Sequence, residues 1–163
     1  MIKIRNKGFT LIELSLFMGL FMVIIGILMT LFSSIVQKQL EVQSISAVEA
    51  DSKYILSRLT YDIQRSDAIV VPSELGNTTS SLVLIINGDT YTYDLLGSTF
   101  RITDNIGTYQ LNGTRSTVSN VSFTRLGNTA GSHAVEVTYT ITSTVSQTQG
   151  PETKTVQTVI GTR

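Results

Sequence analysis

From Leu14 to Gln37 the chain runs 24 residues without a charged side chain. At about 1.5 Å per residue that run makes a helix of roughly 36 Å. A hydrocarbon core is about 30 Å thick, so the pattern predicts a tilted membrane-spanning helix over 14–37. Beyond Leu40 the apolar positions narrow to one stripe: Ile45, Val48, Ile55, Leu56, Leu59 and Ile63 fall within an arc of roughly 100°. The spacing predicts that the helix continues and lays one face on a sheet. Glu49 with Lys53, and Arg58 with Asp62, stand four apart and are expected on a solvated face. Pro72 forbids helical continuation and Val70-Val71 has extended character, so the helix is expected over 9–68, roughly 90 Å.

The period then changes from helical to alternating. Ser81–Asn87 (SLVLIIN) is an apolar run suited to a central strand, and NGD after it predicts a hairpin turn into TYTYDL, with Tyr91 and Tyr93 on one face. Further strands are expected at Thr99–Ile102, Thr108–Leu111, Val118–Leu126 and Lys154–Gly161. The clearest alternation is His133–Thr142, with Val135, Val137, Tyr139 and Ile141 on one face. TSTVSQTQGPET is a polar loop. The enrichment in Thr, Ser, Val, Tyr, Gly and Asn after Val70 is that of strands and turns. The pattern predicts an α+β protein: a long N-terminal helix, transmembrane then amphipathic, packed on an antiparallel β-sheet domain over 69–163.

Composition removes several classes of function. The formal net charge is zero, so there is no basic footprint for nucleic acid. Charged residues make up 15% of the chain, below the ~25% usual in soluble domains, and the deficit lies in the first forty residues. There is no cysteine, hence no disulfide, thiolate metal site or cysteine nucleophile. The one histidine, His133, opens a strand and no serine stands in a nucleophile motif, so no catalytic residue is assigned and no enzyme is expected. Asp89, Asp94, Asp104 and Asn105 lie near turns without EF-hand spacing; no metal or cofactor is expected. N-x-S/T triplets at Asn77, Asn112 and Asn120 arise readily in a Ser- and Thr-rich domain. Gly19 and Gly26 share a helical face, which suits close helix packing as well as the general frequency of glycine in membrane helices.

Lys3, Arg5 and Lys7 precede the apolar run. By the positive-inside rule they hold the N-terminus in the cytoplasm and place everything after Lys38 outside. A cleaved signal peptide has a core of about 7–15 residues and a small-residue cleavage site; this run is longer and TLFSSIV offers no such site, so it is expected to stay as an anchor. Glu13 stands at its head, where headgroups and the positive end of the helix dipole lower the cost of a carboxylate. A cut after Gly8 would give Glu13 another neighbour. Phe9 would carry the new α-amino group, on the same helical face as Glu13, and the three basic residues would be gone.

Lys7–Leu14, KGFTLIEL, resembles the processing motif of type IV pilins and pseudopilins. The resemblance implies a leader over residues 1–8, removed after Gly8 by a prepilin peptidase that then N-methylates Phe9. It implies that Glu13 serves methylation and subunit assembly. The implied partners are the peptidase/methyltransferase, other pilin or pseudopilin subunits, an inner-membrane assembly platform and the lipid bilayer. LSRLTYDIQRSDAIVVP, VSNVSFTRL and a terminal strand ending in Arg are similar to the J-type minor subunits of type II secretion. On this resemblance the chain is expected as a single-pass inner-membrane protein with its C-terminal domain outside, later built into a pilus or pseudopilus. The rival expectation is a permanently membrane-anchored binding module with a β-rich recognition domain. In a filament core an unpaired Glu13 carboxylate would cost several kcal/mol, so it is expected to pair with the N-terminal amine of a neighbouring subunit.

Overall fold

The computed structural model describes residues 10–128, 131–145, 147 and 150–162. Lys3, Arg5, Lys7, Gly8 and Phe9 therefore lie outside the described residues. Helix α1 spans Leu11–Gln64 and is followed, among the described residues, by nine strands. The chain divides into two units, Met1–Gln39 and Leu40–Arg163, so α1 contributes to both. The first unit belongs to the candidate site below; the second holds the folded core.

Within the second unit α1 ends earlier than the expected Ala68. The Ser66 hydroxyl and amide both donate to Ile63 O, closing the last turn, and Asp67 N donates to Ile85 O, the first bond into a sheet. Ala68 then opens β1 (Ala68–Val71), the extended stretch that Val70-Val71 foreshadows. The strands that follow are β2 (Thr78–Thr79), β3 (Leu82–Ile86), β4 (Asp89–Leu96), β5 (Thr99–Thr103), β6 (Thr108–Gln110), β7 (Ser116–Gly127), β8 (His133–Ser143) and β9 (Thr153–Gly161). They form not one sheet but two, in the orders β1-β3-β4-β5-β6 and β2-β7-β8-β9, antiparallel throughout. The protein is α+β.

Local chemistry explains the register. Ile86 pairs with Asp89, leaving Asn87 and Gly88 as a two-residue turn with φ of 53° and 87°. Positive φ at both positions is what a tight turn between twisted strands needs, and Asn-Gly supplies it at least cost. In β7 the pairing shifts between Ser119 and Ser122, with Asn120 at φ 52°. This bulge inserts one residue, so that Val118, Val121 and Phe123 all face the core despite their uneven spacing.

The core lies between α1 and the inner faces of both sheets. Val48, Ile55, Leu59 and Ile63 meet Leu82, Leu84, Ile86, Tyr93 and Phe100 of the first sheet, and Phe123, Val135, Val137, Tyr139 and Ile141 of the second. Tyr93, Phe100 and Phe123 form a row of rings with centroids 6.1 and 6.4 Å apart, joining the two sheets. The Tyr139 hydroxyl donates to Ser52 O on the helix at 3.0 Å. The buried helical stripe differs from the apolar one expected: Ile45 is 41% exposed, while Ser44 and Ser52 are buried. Small side chains let the helix approach the strands where a branched one would hold it off.

Two expected surface pairs also change. Asp62 is fully buried. Its carboxylate accepts from Arg58 Nε at 2.7 Å, from Arg65 Nε at 2.9 Å and from the Tyr93 hydroxyl. A buried carboxylate persists only when its lone pairs are filled, and these three donors fill them. Glu49 pairs not with Lys53 but with Lys154 of β9, at 2.6 Å. Asp51 holds the turn before β7, accepting from Gly113 N at 2.8 Å and from the Ser116 hydroxyl.

Candidate functional site

The first unit contains the candidate site, an apolar helix with an acidic head. Every large hydrophobic side chain from Leu11 to Val36 is between 38% and 87% exposed. The helix is long and apolar enough to cross a membrane. Three of its hydroxyl groups are returned to its own backbone: Ser15 donates to Ile12 O at 2.9 Å, Thr30 to Ile27 O at 2.7 Å and Ser34 to Thr30 O at 2.9 Å. That arrangement suits hydrocarbon, where no water would satisfy them. A Cβ built on Gly19 or Gly26 meets nothing within 4 Å, so no packing among the described residues requires glycine there.

Glu13 lies in the first turn of α1. The Glu13 amide donates to Thr10 Oγ1 at 3.3 Å, and Glu13 Oε2 accepts from Thr10 N at 3.2 Å and from the Thr10 hydroxyl at 3.1 Å. This is a reciprocal capping box, with Thr10 as N-cap and Glu13 at the third helical position. Sequence reasoning passed over Thr10, although T-x-x-E ahead of an apolar run is the signal for it. The box gives Glu13 a local role: it satisfies helix N–H groups that have no partner in the turn before them, and it sets a negative charge at the positive end of the dipole. Gly8 and Phe9, and the basic Lys3, Arg5 and Lys7, belong to the residues that the structure leaves undescribed.

Elsewhere most of the polar groups near turns and depressions are engaged in holding the fold. Ser66, Asp67, Ser132 and His133 border one depression, but they make no relay. The Ser66 hydroxyl is spent on Ile63 O, Asp67 accepts from Asn87 N at 2.6 Å, and His133 Nδ1 is buried without a hydrogen-bond partner among the described residues. Asp104 Oδ1 accepts from Ile106 N and Gly107 N, organising its turn, and Asp94 pairs with Arg101. Among the described residues no three His, Cys, Asp or Glu side chains converge as a metal site would require. Asn112 is buried, its Oδ1 accepting from Phe100 N at 2.8 Å and its Nδ2 donating to Ser116 O at 2.9 Å, so its triplet is closed to modification.

The chain matches no protein-family model, no curated protein and no solved structure.

Proposed function

We propose that the chain is a structural subunit of a pilus or of a type II secretion-like pseudopilus, stored in a membrane by α1 and then assembled through it. The observation that carries this reading is the apolar surface of Leu11–Val36, exposed among the described residues and headed by the single carboxylate of Glu13. A permanent tether needs the apolar length and could use Glu13 as a helix cap, but capping alone does not require the charge. The motif KGFTLIEL supplies the rest: a prepilin peptidase cuts after Gly8 and methylates Phe9. The cut removes Lys3, Arg5 and Lys7 and leaves Thr10 and Glu13 in the mature chain.

In this scheme the domain after Lys38 lies outside the inner membrane, and the partners are the peptidase, the assembly platform and other subunits. The strand-rich second unit and the similarity of its segments to J-type subunits favour a minor component. Apolar faces supply most of the attraction between subunits. The Glu13 carboxylate pairs with the methylated amine of a neighbour and penalises wrong registers, since a charge stranded among apolar helices is expensive. Methylation preserves the positive charge of the amine.

Intact-mass measurement of the mature protein from its native membrane tests the scheme. A chain beginning at N-methylated Phe9 is expected. A mature chain retaining residues 1–8 contradicts it and leaves a membrane-anchored binding module as the better description.

A further inference from the structure

The two sheets have four edges, and three of them are blunted. β1 is four residues with a register shift at Ile69/Val71 and Pro72 directly after it; β2 has two residues and β6 has three. Short, kinked or proline-flanked edges are how sheets avoid pairing with other chains. β9 is neither short nor kinked, and Pro151 stands two residues outside it. It pairs with β8 in an unbroken register from Thr142↔Thr153 to Ala134↔Gly161, contains no proline, and is the end of its sheet. Its one charged residue, Lys154, sits near one end with its ammonium tied to Glu49.

The bonds at either end of β9 fix which backbone groups are free. Glu152 O accepts from Ser143 N at 2.8 Å, and Thr162 N donates to His133 O at 2.9 Å. Even-numbered residues therefore turn their backbone toward β8. Thr153, Thr155, Gln157, Val159 and Gly161 turn theirs away. Among the described residues no strand lies beyond them.

We infer that this edge binds the same edge of a second copy of the chain, β9 to β9 antiparallel, joining two four-stranded sheets into one. Full overlap of the nine residues places the two-fold axis at Gln157. Gln157 then faces its own copy, Thr155 faces Val159, Thr153 faces Gly161, Val156 faces Thr158 and Lys154 faces Ile160. No charge opposes a like charge, and every outward N–H and C=O meets a partner of the opposite kind. On the inner face, Val156 and Ile160 continue an apolar surface already partly buried against the core. The edge is complementary to itself, which is what selects a second copy over a strand of other composition.

The chain has no cysteine, so a single introduced one reports this contact cleanly. Full-length Gln157→Cys in detergent micelles, oxidised with copper–phenanthroline, is expected to form disulfide-linked dimer at least tenfold faster than Thr155→Cys or Leu96→Cys. In the inferred register two copies of residue 155 are about 13 Å apart, and Leu96 is an exposed position on the other sheet. Adding Thr155→Lys with Val159→Lys sets lysine against lysine across the seam and is expected to abolish the cross-link. Thr155→Lys with Val159→Glu sets lysine against glutamate and is expected to restore it. Cross-linking of Gln157→Cys no faster than the two controls overturns the inference, as does faster cross-linking at 155. Equal behaviour of the two charged pairs, with helix and sheet content unchanged by circular dichroism, overturns it as well.

Discussion

Leu28 and Leu59 belong to the same helix and meet opposite surroundings: Leu28 is 57% exposed, Leu59 fully buried. Around Leu28 apolar residues occupy every side of the helix and no face is singled out. Around Leu59 they form a stripe, and the remaining positions carry charges that reach specific partners. A helix apolar all round has to be covered on all sides, by lipid or by other helices; a striped one needs a single sheet. The difference teaches where each half finds its stability. The second half is stabilised by its own domain, whereas the first half leaves its apolar surface exposed among the described residues.

Substitutions that treat the halves alike break or sharpen this contrast. Leu59→Ala is expected to destabilise the folded domain by about 2–5 kcal/mol, because it removes apolar atoms from a filled core and leaves a cavity. Leu28→Ala should shift the same denaturation midpoint by no more than about 0.5 kcal/mol. Chemical denaturation followed by tyrosine fluorescence compares them directly. Equal losses would mean that the first half is also part of the folded core.

Asp62→Ala is expected to cost about 3 kcal/mol, since Arg58, Arg65 and Tyr93 all lose the acceptor they converge on. The guanidinium groups are partly exposed and recover some hydration. A loss below about 1 kcal/mol, the scale of an exposed i,i+4 pair, would return Asp62 to the solvated face.

The Tyr93 phenol gives the domain an alkaline limit. Burial raises its pKa far above the ordinary value, and its bond to Asp62 raises it further. An unfolded tyrosine ionises near pH 10, whereas the folded one stays neutral to higher pH. Above about pH 10 the unfolded state therefore holds fewer protons, and stability falls by up to about 1.4 kcal/mol per pH unit. Below that pH the contribution is complete. Tyr93→Phe should flatten the alkaline fall; Tyr139, raised by burial in the same direction, keeps a smaller one. A melting profile between neutral pH and pH 11 with identical slopes for wild type and Tyr93→Phe would refute this assignment.

The most local effect concerns the turn held by Asp51. Asp51→Ala removes the acceptor for Gly113 N and the Ser116 hydroxyl, and about 1–2 kcal/mol is expected. Faster hydrogen exchange at the Gly113 amide is its most direct readout.

How legible each half was follows from the same contrast. The apolar run needs only composition and length, and a reader of the sequence finds it at once. The Asn87-Gly88 turn and the alternation of β8 are local too, and both stand where the pattern puts them. Asp62 was misjudged because its i,i+4 neighbour Arg58 explains it locally, while Tyr93, which decides its burial, lies 31 residues away. Ser44 and Ser52 replace Ile45 in the buried stripe for a similar reason: close approach of helix and strand is a property of the pair, invisible in either sequence alone. The division into two sheets falls between β6 and β7, which do not pair among the described residues, and which strands pair is not written in the periodicity of either one. Thr10 was legible and missed; its capping box with Glu13 is written in four consecutive residues.

That box sets the decisive measurement, because it offers Glu13 a role that ends within its own chain. Glutamine serves a capping box as glutamate does but carries no charge. Glu13→Gln thus keeps the helix start with Thr10 and removes only what a neighbouring subunit's amine would recognise. The quantity to measure is the fraction of processed, membrane-inserted Glu13→Gln protein recovered in sheared filaments, relative to wild type in the same cells. The account predicts normal insertion and a fall of at least tenfold in incorporation. Incorporation equal to wild type would mean that Glu13 only caps α1, and that nothing outside the chain reads its charge.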